Sequence, residues 1–334
     1  MPRISSSCGK KPDRHHGSTP IRIRLLGWEP DIWRLDMDIR NLSGIVTATP
    51  TPIKDGNVDV ASVKELARYL VTNGATGLAP IGGTGEYISL SEQQKVDMVR
   101  ATVEAVDGAI PTIAGLIAPG LGEVFDSGKR ILDAGADGLL VTTPFYVRPT
   151  QQGIIDYFKA ISDTLDTDLV LYEFPYRTGV SLTAETVQAL GETTRIVAMK
   201  ACNADAGLQM RVLEAAGDRI AILSGDEDVY PLHLAAGAKG GLFASSCIIP
   251  KVWNRITQLG QANRTAEALA LHARIRPFLK LLFSEHNPIP LKAALRILGK
   301  PCGEAILPLL SASSETEAQL VKMLPDIQAL EASM

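Results

Sequence analysis

Cysteine is scarce: Cys8, Cys202, Cys247 and Cys302 are the four in 334 residues, far apart and without CxxC or Cys/His spacing. Neither a disulfide framework nor a zinc site is indicated, and a reducing, cytoplasmic compartment is expected. The chain has five histidines, two of them near the amino terminus, too scattered to serve as companion ligands, so no metal is expected. No apolar run approaches the roughly 18 residues that a membrane span requires. The formal net charge is -4, and beyond residue 40 the lysines and arginines are interspersed with acids. There is no basic footprint of the kind a phosphate backbone needs, so neither nucleic acid nor membrane is expected as a partner.

With 46% hydrophobic and 21% charged residues, the chain can bury a large core. Its first 36 residues read differently, being rich in Arg, Ser and Pro, with a short apolar piece, "IRIRLLGW", interrupted by Arg22 and Arg24. That interruption argues against a secretory signal. Asp13, Glu29, Asp31 and Asp36 argue against a transit peptide. Residues 1–40 are therefore expected to be an unstructured extension.

From Ser43 onward one theme repeats: a short apolar run, a polar or Gly-rich turn, then an amphipathic stretch. The runs are "GIVTATPT", "GATGLAPIGG", "PTIAGL", "ADGLLVTTP", "DLVLYEFP", "RIVAMKA", "RIAILSGD" and "GGLFASS". They do not alternate apolar with polar residues, so they predict parallel strands buried on both faces. Between them, stretches such as "LSEQQKVDMVRATVEAV" predict helices, here with Ser91 as cap and Glu92 in the first turn. Eight such units predict an α/β fold, a (β/α)8 TIM barrel over 41–260. Three further helical stretches, without strands, predict a C-terminal helical domain over 261–334. An open doubly wound sheet shares the alternation, but the first turn lacks GxGxxG.

A barrel places its chemistry at the C-terminal ends of the strands. Those ends carry Thr84 and Glu86, Phe145 and Tyr146, Tyr172 and Glu173, Lys200, Asp226 and Glu227, and Ser245 and Ser246. Lys200 follows four apolar residues in "IVAMKA". Desolvation disfavours its charged form and predicts a lowered pKa, and a neutral amine there suits Schiff-base formation with a ketone or aldehyde. Alternatively, Lys200 pairs with a carboxylate such as Glu173 on the neighbouring strand, or extends to solvent. Asp226 and Glu227 read as solvated carboxylates at a helix start. Glycines in "GGTGEY" leave backbone amides free to approach an anion beside the Thr84 hydroxyl, or simply form a tight loop.

The set "GGTGEYISL", "TTPFYVRPTQQG", "LYEFPYRTG", "IVAMKA", "LSGDE" and "NPIPLKAAL", in this order and spacing, resembles the dihydrodipicolinate synthase and N-acetylneuraminate lyase family of pyruvate-dependent class I aldolases. The resemblance covers Gly44 to about Leu310. It implies a barrel with a C-terminal helical domain, assembled as a homo-oligomer, a dimer or tetramer. Lys200 would form the imine with pyruvate or another 2-keto acid, without a cofactor, and Tyr172 would move protons beside it. Thr84 and the Gly83 backbone would hold the keto-acid carboxylate, and the Leu242 backbone would line the pocket. Tyr146 is similar to a tyrosine lent across the dimer interface. Arg177 matches the arginine that binds the carboxylate of an incoming aldehyde, and Glu173 stands in the substrate site where asparagine is usual.

This sequence also departs from the family pattern. The synthases read "GTTGES", with a threonine relaying a proton between two tyrosines, where this chain has Gly83. "GGTGE" followed by an aromatic is similar to 5-dehydro-4-deoxyglucarate dehydratases of the same family. Glu92, Lys95 and Phe145 replace residues of the usual lysine-feedback pocket. Three functions therefore stay open: condensation of pyruvate with a carboxylated aldehyde, dehydration or aldol cleavage of a 2-keto-3-deoxy sugar acid, and non-catalytic sensing of a keto acid.

Overall fold

The computed structural model describes residues 38–300 and 302–334, so most of the expected extension lies outside the described residues. Eight parallel strands carry the fold: β1 (Gly44–Ala48), β2 (Gly77–Ala79), β3 (Ile113–Leu116), β4 (Gly138–Thr142), β5 (Leu169–Glu173), β6 (Ile196–Ala201), β7 (Ala221–Ser224) and β8 (Gly240–Phe243). Each pairs with its neighbour in sequence except β2 with β3, and β8 pairs with β1. Closure between β2 and β3 comes from the parallel bridge of Leu78 with Thr112, with Gly115 donating its N–H to the Pro80 carbonyl at 2.9 Å. The sheet is therefore a (β/α)8 barrel, as the eight apolar runs predict.

Seven helices of six or more residues follow the strands up to β8: α1 (Val60–Thr72), α2 (Glu92–Val106), α3 (Leu121–Asp133), α4 (Gln151–Leu165), α5 (Ala184–Thr193), α6 (Ala206–Ala216) and α7 (Tyr230–Ala235). Local chemistry starts them. Ser91 and Gln94 form a reciprocal capping box on α2, while Asp59, Thr150 and Asp205 accept backbone N–H groups of α1, α4 and α6. After β8 come α8 (Pro250–Gln261), α9 (Thr265–Leu282), α10 (Ile289–Ile297) and α11 (Ser314–Ala332).

Three apolar layers hold these elements together. The barrel interior is filled by Val46, Ile113, Leu140, Val170, Ala198 and Leu223, and by Ile39 and Leu42. Ile39, which the sequence reading places in the extension, packs close to Gly138 at the start of β4. A second layer lies between the strands and the surrounding helices, and a third joins the barrel to the C-terminal helices through Trp253, Tyr230, Phe243, Phe278 and Leu320. Each such fully buried side chain contributes about 1.5–3 kcal/mol relative to exposure. The C-terminal helices are thus bonded to the barrel by core, and their loops are fixed with respect to its mouth.

Candidate active site

Lys200 and Tyr172 are register partners across β5 and β6, so successive strands bring an amine and a phenol to the same level of the barrel mouth. Lys200 Nζ lies 4.6 Å from the centroid of the Tyr172 ring. The glycine after β7 makes room for this pair: a β-carbon on Gly225 would collide with Cys202 Sγ and lie 3.0 Å from Lys200 Cγ.

The pKa of Lys200 moves opposite to the sequence expectation. Burial pushes its pKa down, but Tyr172, Cys202 and Glu227 push it up, and the upward influences prevail. Burial also raises Tyr172, and pushes the Cys202 thiol up to about 12. Lys200 therefore holds its proton more tightly than its apolar strand alone implies, and shares it with a coupled set of neighbours. A reading of one apolar strand weighs desolvation and omits the neighbours supplied by adjacent strands.

The turn after β2 is tightly constrained. Ile81 and Glu86 both have positive φ, 49° and 57°. Gly85 packs so closely on the Ile81 backbone that no β-carbon fits, and its carbonyl accepts the Thr51 hydroxyl at 2.7 Å. Thr84 is buried and its Oγ1 accepts from Asn287 Nδ2 at 3.0 Å. Glu86 accepts the Ile306 N–H at 2.6 Å and forms an ion pair with Lys292, both side chains being 1% exposed. Lys292 in turn donates to the Glu304 carbonyl at 2.9 Å. The turn that carries Gly83 and Thr84 is therefore clamped by the C-terminal module. Glu86 was among the strand-end residues, but Asn287 and Lys292 are partners that the strand-by-strand reading missed. Both lie inside the quoted "NPIPLKAAL", which was the available signal.

Above this turn opens a cavity of about 410 Å³, lined by Gly83, Tyr172, Phe145, Arg177, His286 and Asn287, among others. That volume suits a small metabolite. Arg177 sits in the helical turn Pro175–Thr178, with its guanidinium carbon 5.6 Å from the Phe174 ring centroid. Tyr146 is 97% exposed at φ 70° and does not line the cavity, whereas its neighbour Phe145 does. Leu242 is buried in the barrel interior, paired in register with Val46.

Two carboxylates depart from expectation. Glu173 does not face the substrate side: adjacent strand residues point to opposite faces, and Tyr172 takes the inner one. The Glu173 carboxylate accepts from Leu182 N at 3.1 Å and Asn203 Nδ2 at 2.9 Å, which satisfies it away from the cavity. Glu227 is buried rather than solvated, accepting from Ala244 N at 2.8 Å and Ser245 N at 3.1 Å, and from the Ser245 hydroxyl. Burial raises both pKa values against these hydrogen bonds. Lys95, also buried, lies 2.7 Å from Glu92 and 3.8 Å over the Tyr87 ring. Among the described residues no three His, Cys, Asp or Glu side chains converge as metal ligands, and no helix is long and apolar enough to cross a membrane.

Barrels of this build work at the carboxyl ends of their strands, and an amine in register with a phenol at that end is equipment for making or breaking bonds next to a carbonyl. The chain is an enzyme of the lyase class. The sequence model of the dihydrodipicolinate synthetase family matches residues 41–327, and the chain belongs to that family. It is 34% identical over 287 residues to the 4-hydroxy-tetrahydrodipicolinate synthase of Geobacter sulfurreducens, covering 86% of this chain and 99% of the relative. The fold is similar to the dihydrodipicolinate synthase of Thermotoga maritima, with TM-score 0.84, 33% identity and coverage of 87% and 99%. It is similar also to the enzyme from Cyanidioschyzon merolae with lysine bound, with TM-score 0.82, 32% identity and coverage of 86% and 98%.

Proposed function

We propose that Lys200 condenses with the carbonyl of pyruvate or a related 2-keto acid, expelling water to give an imine. The protonated imine acidifies the adjacent C–H, and Tyr172 receives that proton. The resulting enamine carbon attacks a carboxylated aldehyde, whose oxygen takes the proton back, and water then hydrolyses the product from Lys200. The imine is the electron sink, so the reaction calls for no cofactor. The observation that carries this reading is the register pairing of Tyr172 with Lys200 at the barrel mouth. In support, Gly83 and Arg177 line one cavity, Gly83 offering a backbone for the keto-acid carboxylate and Arg177 a guanidinium for the carboxylate of the aldehyde; Thr84, next to Gly83 and bonded to Asn287, is the hydroxyl for the first of these. Tyr146, fully outside its own cavity, suits a site completed by a second subunit, so the working form is a homo-oligomer, a dimer or tetramer.

A second reading has its own observation. A β-carbon on Gly83 would stand 3.8 Å from Tyr172 Oη, so glycine leaves open space beside the proton-transfer group. That space fits the longer chain of a 2-keto-3-deoxy sugar acid undergoing dehydration or aldol cleavage through the same imine.

Borohydride reduction in the presence of pyruvate tests the shared core. One three-carbon unit is expected on the peptide that contains Lys200. Because the raised Lys200 pKa leaves little neutral amine near neutrality, capture should quicken as pH rises. An adduct on another lysine, or none, refutes the mechanism.

A further inference from the structure

Glu227 is a buried carboxylate that the proposed reaction does not use. It lies in the loop after β7 and is held by the end of β8: Ala244 N donates to its Oε1 at 2.8 Å and Ser245 N at 3.1 Å, while the Ser245 hydroxyl donates to Oε2. The direction of that last bond is fixed by a further residue. Trp253 Nε1, which can only donate, gives its hydrogen to Ser245 Oγ at 2.8 Å. Ser245 is fully buried, and among the described residues Glu227 is the acceptor for its hydroxyl proton. Three neutral donors thus converge on Glu227, an arrangement that suits an ionised carboxylate. Among the described residues the lysines in ion pairs are Lys64, Lys95 and Lys292, so neither Lys200 nor Glu227 is in contact with an opposite charge. His272 meets the Glu227 carbonyl, not its carboxylate, at 2.8 Å, and the Asp226 carboxylate accepts from Asp228 N at 3.0 Å.

The seam between β6 and β7 brings this carboxylate to Lys200. Lys200 and Leu223 are register partners. Gly225 N donates to the Ala201 carbonyl at 2.7 Å, and a β-carbon on Gly225 would lie 3.0 Å from Lys200 Cγ. Glu227 is two residues further on. The charges of Lys200 and Glu227 act on one another, and the other groups that act on Lys200 are Tyr172 on β5 and Cys202 just past β6. Tyr172 and Cys202 are both raised and therefore neutral at pH 7, so the standing negative charge is that of Glu227. Burial raises Glu227 too, and its three donors oppose that. We infer that Glu227 is a positioning residue for the proposed imine chemistry: held by β8, its carboxylate favours positive charge on the Lys200 nitrogen, first in the protonated amine and again in the protonated imine that acidifies the adjacent C–H. This rests on the imine reading. A carboxylate in contact with the amine would engage the attacking nitrogen, whereas one restrained by its own hydrogen bonds acts through the low-dielectric interior and leaves that nitrogen free.

The test reads the rate of covalent capture at limiting pyruvate from about pH 7 to about pH 11, with cyanoborohydride in excess so that imine formation sets the rate; that rate follows the titration of the free protein. Removing a nearby unit charge moves a pKa by about one unit. The midpoint should therefore fall by about one pH unit in Glu227→Gln, and capture at about pH 8 should become about tenfold faster. Glu227→Asn is a second neutral variant, and Glu227→Asp, which keeps the charge, should keep the wild-type midpoint. Exchange of the pyruvate methyl protons with deuterated water, which needs the protonated imine, should slow in the neutral variants. Loss of packing alone would slow both processes and move no midpoint. Three results overturn the inference while pyruvate capture stands: an unshifted midpoint in a neutral variant that urea denaturation shows to be folded, exchange that does not slow there, or a shift in Glu227→Asp as large as in Glu227→Gln. The wild-type midpoint is expected at or above about 10.4, the ordinary lysine value, and a lower one overturns the inference even where neither neutral variant folds. Wild-type protein that captures no pyruvate removes the imine reading, and this one with it.

Discussion

Replacing Gly83 by threonine separates the two enzymatic readings. Gly83 does not lie in the left-handed region, and a β-carbon there would meet Tyr172 Oη at 3.8 Å, an ordinary contact, so the backbone accepts the change without strain. A hydroxyl on that β-carbon falls near the roughly 2.6–3.2 Å that proton transfer from Tyr172 requires. If the chain condenses pyruvate with a small carboxylated aldehyde, the new hydroxyl adds a relay, and kcat/KM should hold or rise. If the cavity takes a longer keto-deoxy sugar acid, the added atoms compete for space that the substrate occupies. Overpacking of that kind costs about 1–3 kcal/mol, so kcat/KM for the sugar acid should fall by roughly 5- to 150-fold. The assay is steady-state kinetics with pyruvate plus aspartate semialdehyde, and separately with keto-deoxy sugar acids, with borohydride capture of pyruvate measured alongside. Parental behaviour toward every substrate would show that the space at Gly83 is not used by either.

Three further outcomes are expected. Arg177→Ala should cost about 1.5–3 kcal/mol in kcat/KM for the carboxylated second substrate, with pyruvate capture preserved; equal loss in both steps would make Arg177 a structural residue. Lys292→Met leaves the buried Glu86 carboxylate without its cation and should lower stability by about 3–5 kcal/mol in urea denaturation. Adding Glu86→Gln should restore much of that, and a single-variant loss below about 1 kcal/mol would refute the claim that the pair matters. Free lysine should leave turnover unchanged over a concentration series, since the chain's own Lys95 ammonium already occupies the niche between Glu92 and the Tyr87 ring; inhibition would place a lysine site elsewhere.

The barrel is legible because its strands are buried on both faces, which forces unbroken apolar runs, and because eight such runs recur at barrel spacing. The placing of Lys200 and Tyr172 side by side at the barrel mouth was legible for the same reason, since both stand at the carboxyl ends of such runs on neighbouring strands. Glu173 was misplaced although period-two alternation beside Tyr172 was enough to turn it outward. The raised pKa of Lys200 depends on Tyr172 and Cys202 in space, which no single strand reveals. Asn287 and Thr84 are 203 positions apart, and Lys292 meets Glu86 across a similar span. Only the docking of the C-terminal helices on the barrel core sets such distances.

That docking has a consequence for how the protein is made. Chains fold from the amino terminus as they are synthesised, and the eight barrel strands are complete by Phe243. The cavity wall is not: His286, Asn287, Pro308 and Leu309 belong to segments translated afterwards, as do Lys292 and Ile306, which clamp Glu86 in the turn after β2. A nascent barrel closed only as far as β8 thus holds Tyr172 against a chamber that is still unfinished. Closing the barrel is therefore not enough to finish the cavity: its wall and the clamp on the turn that carries Gly83 and Thr84 wait for the docking of segments made after β8.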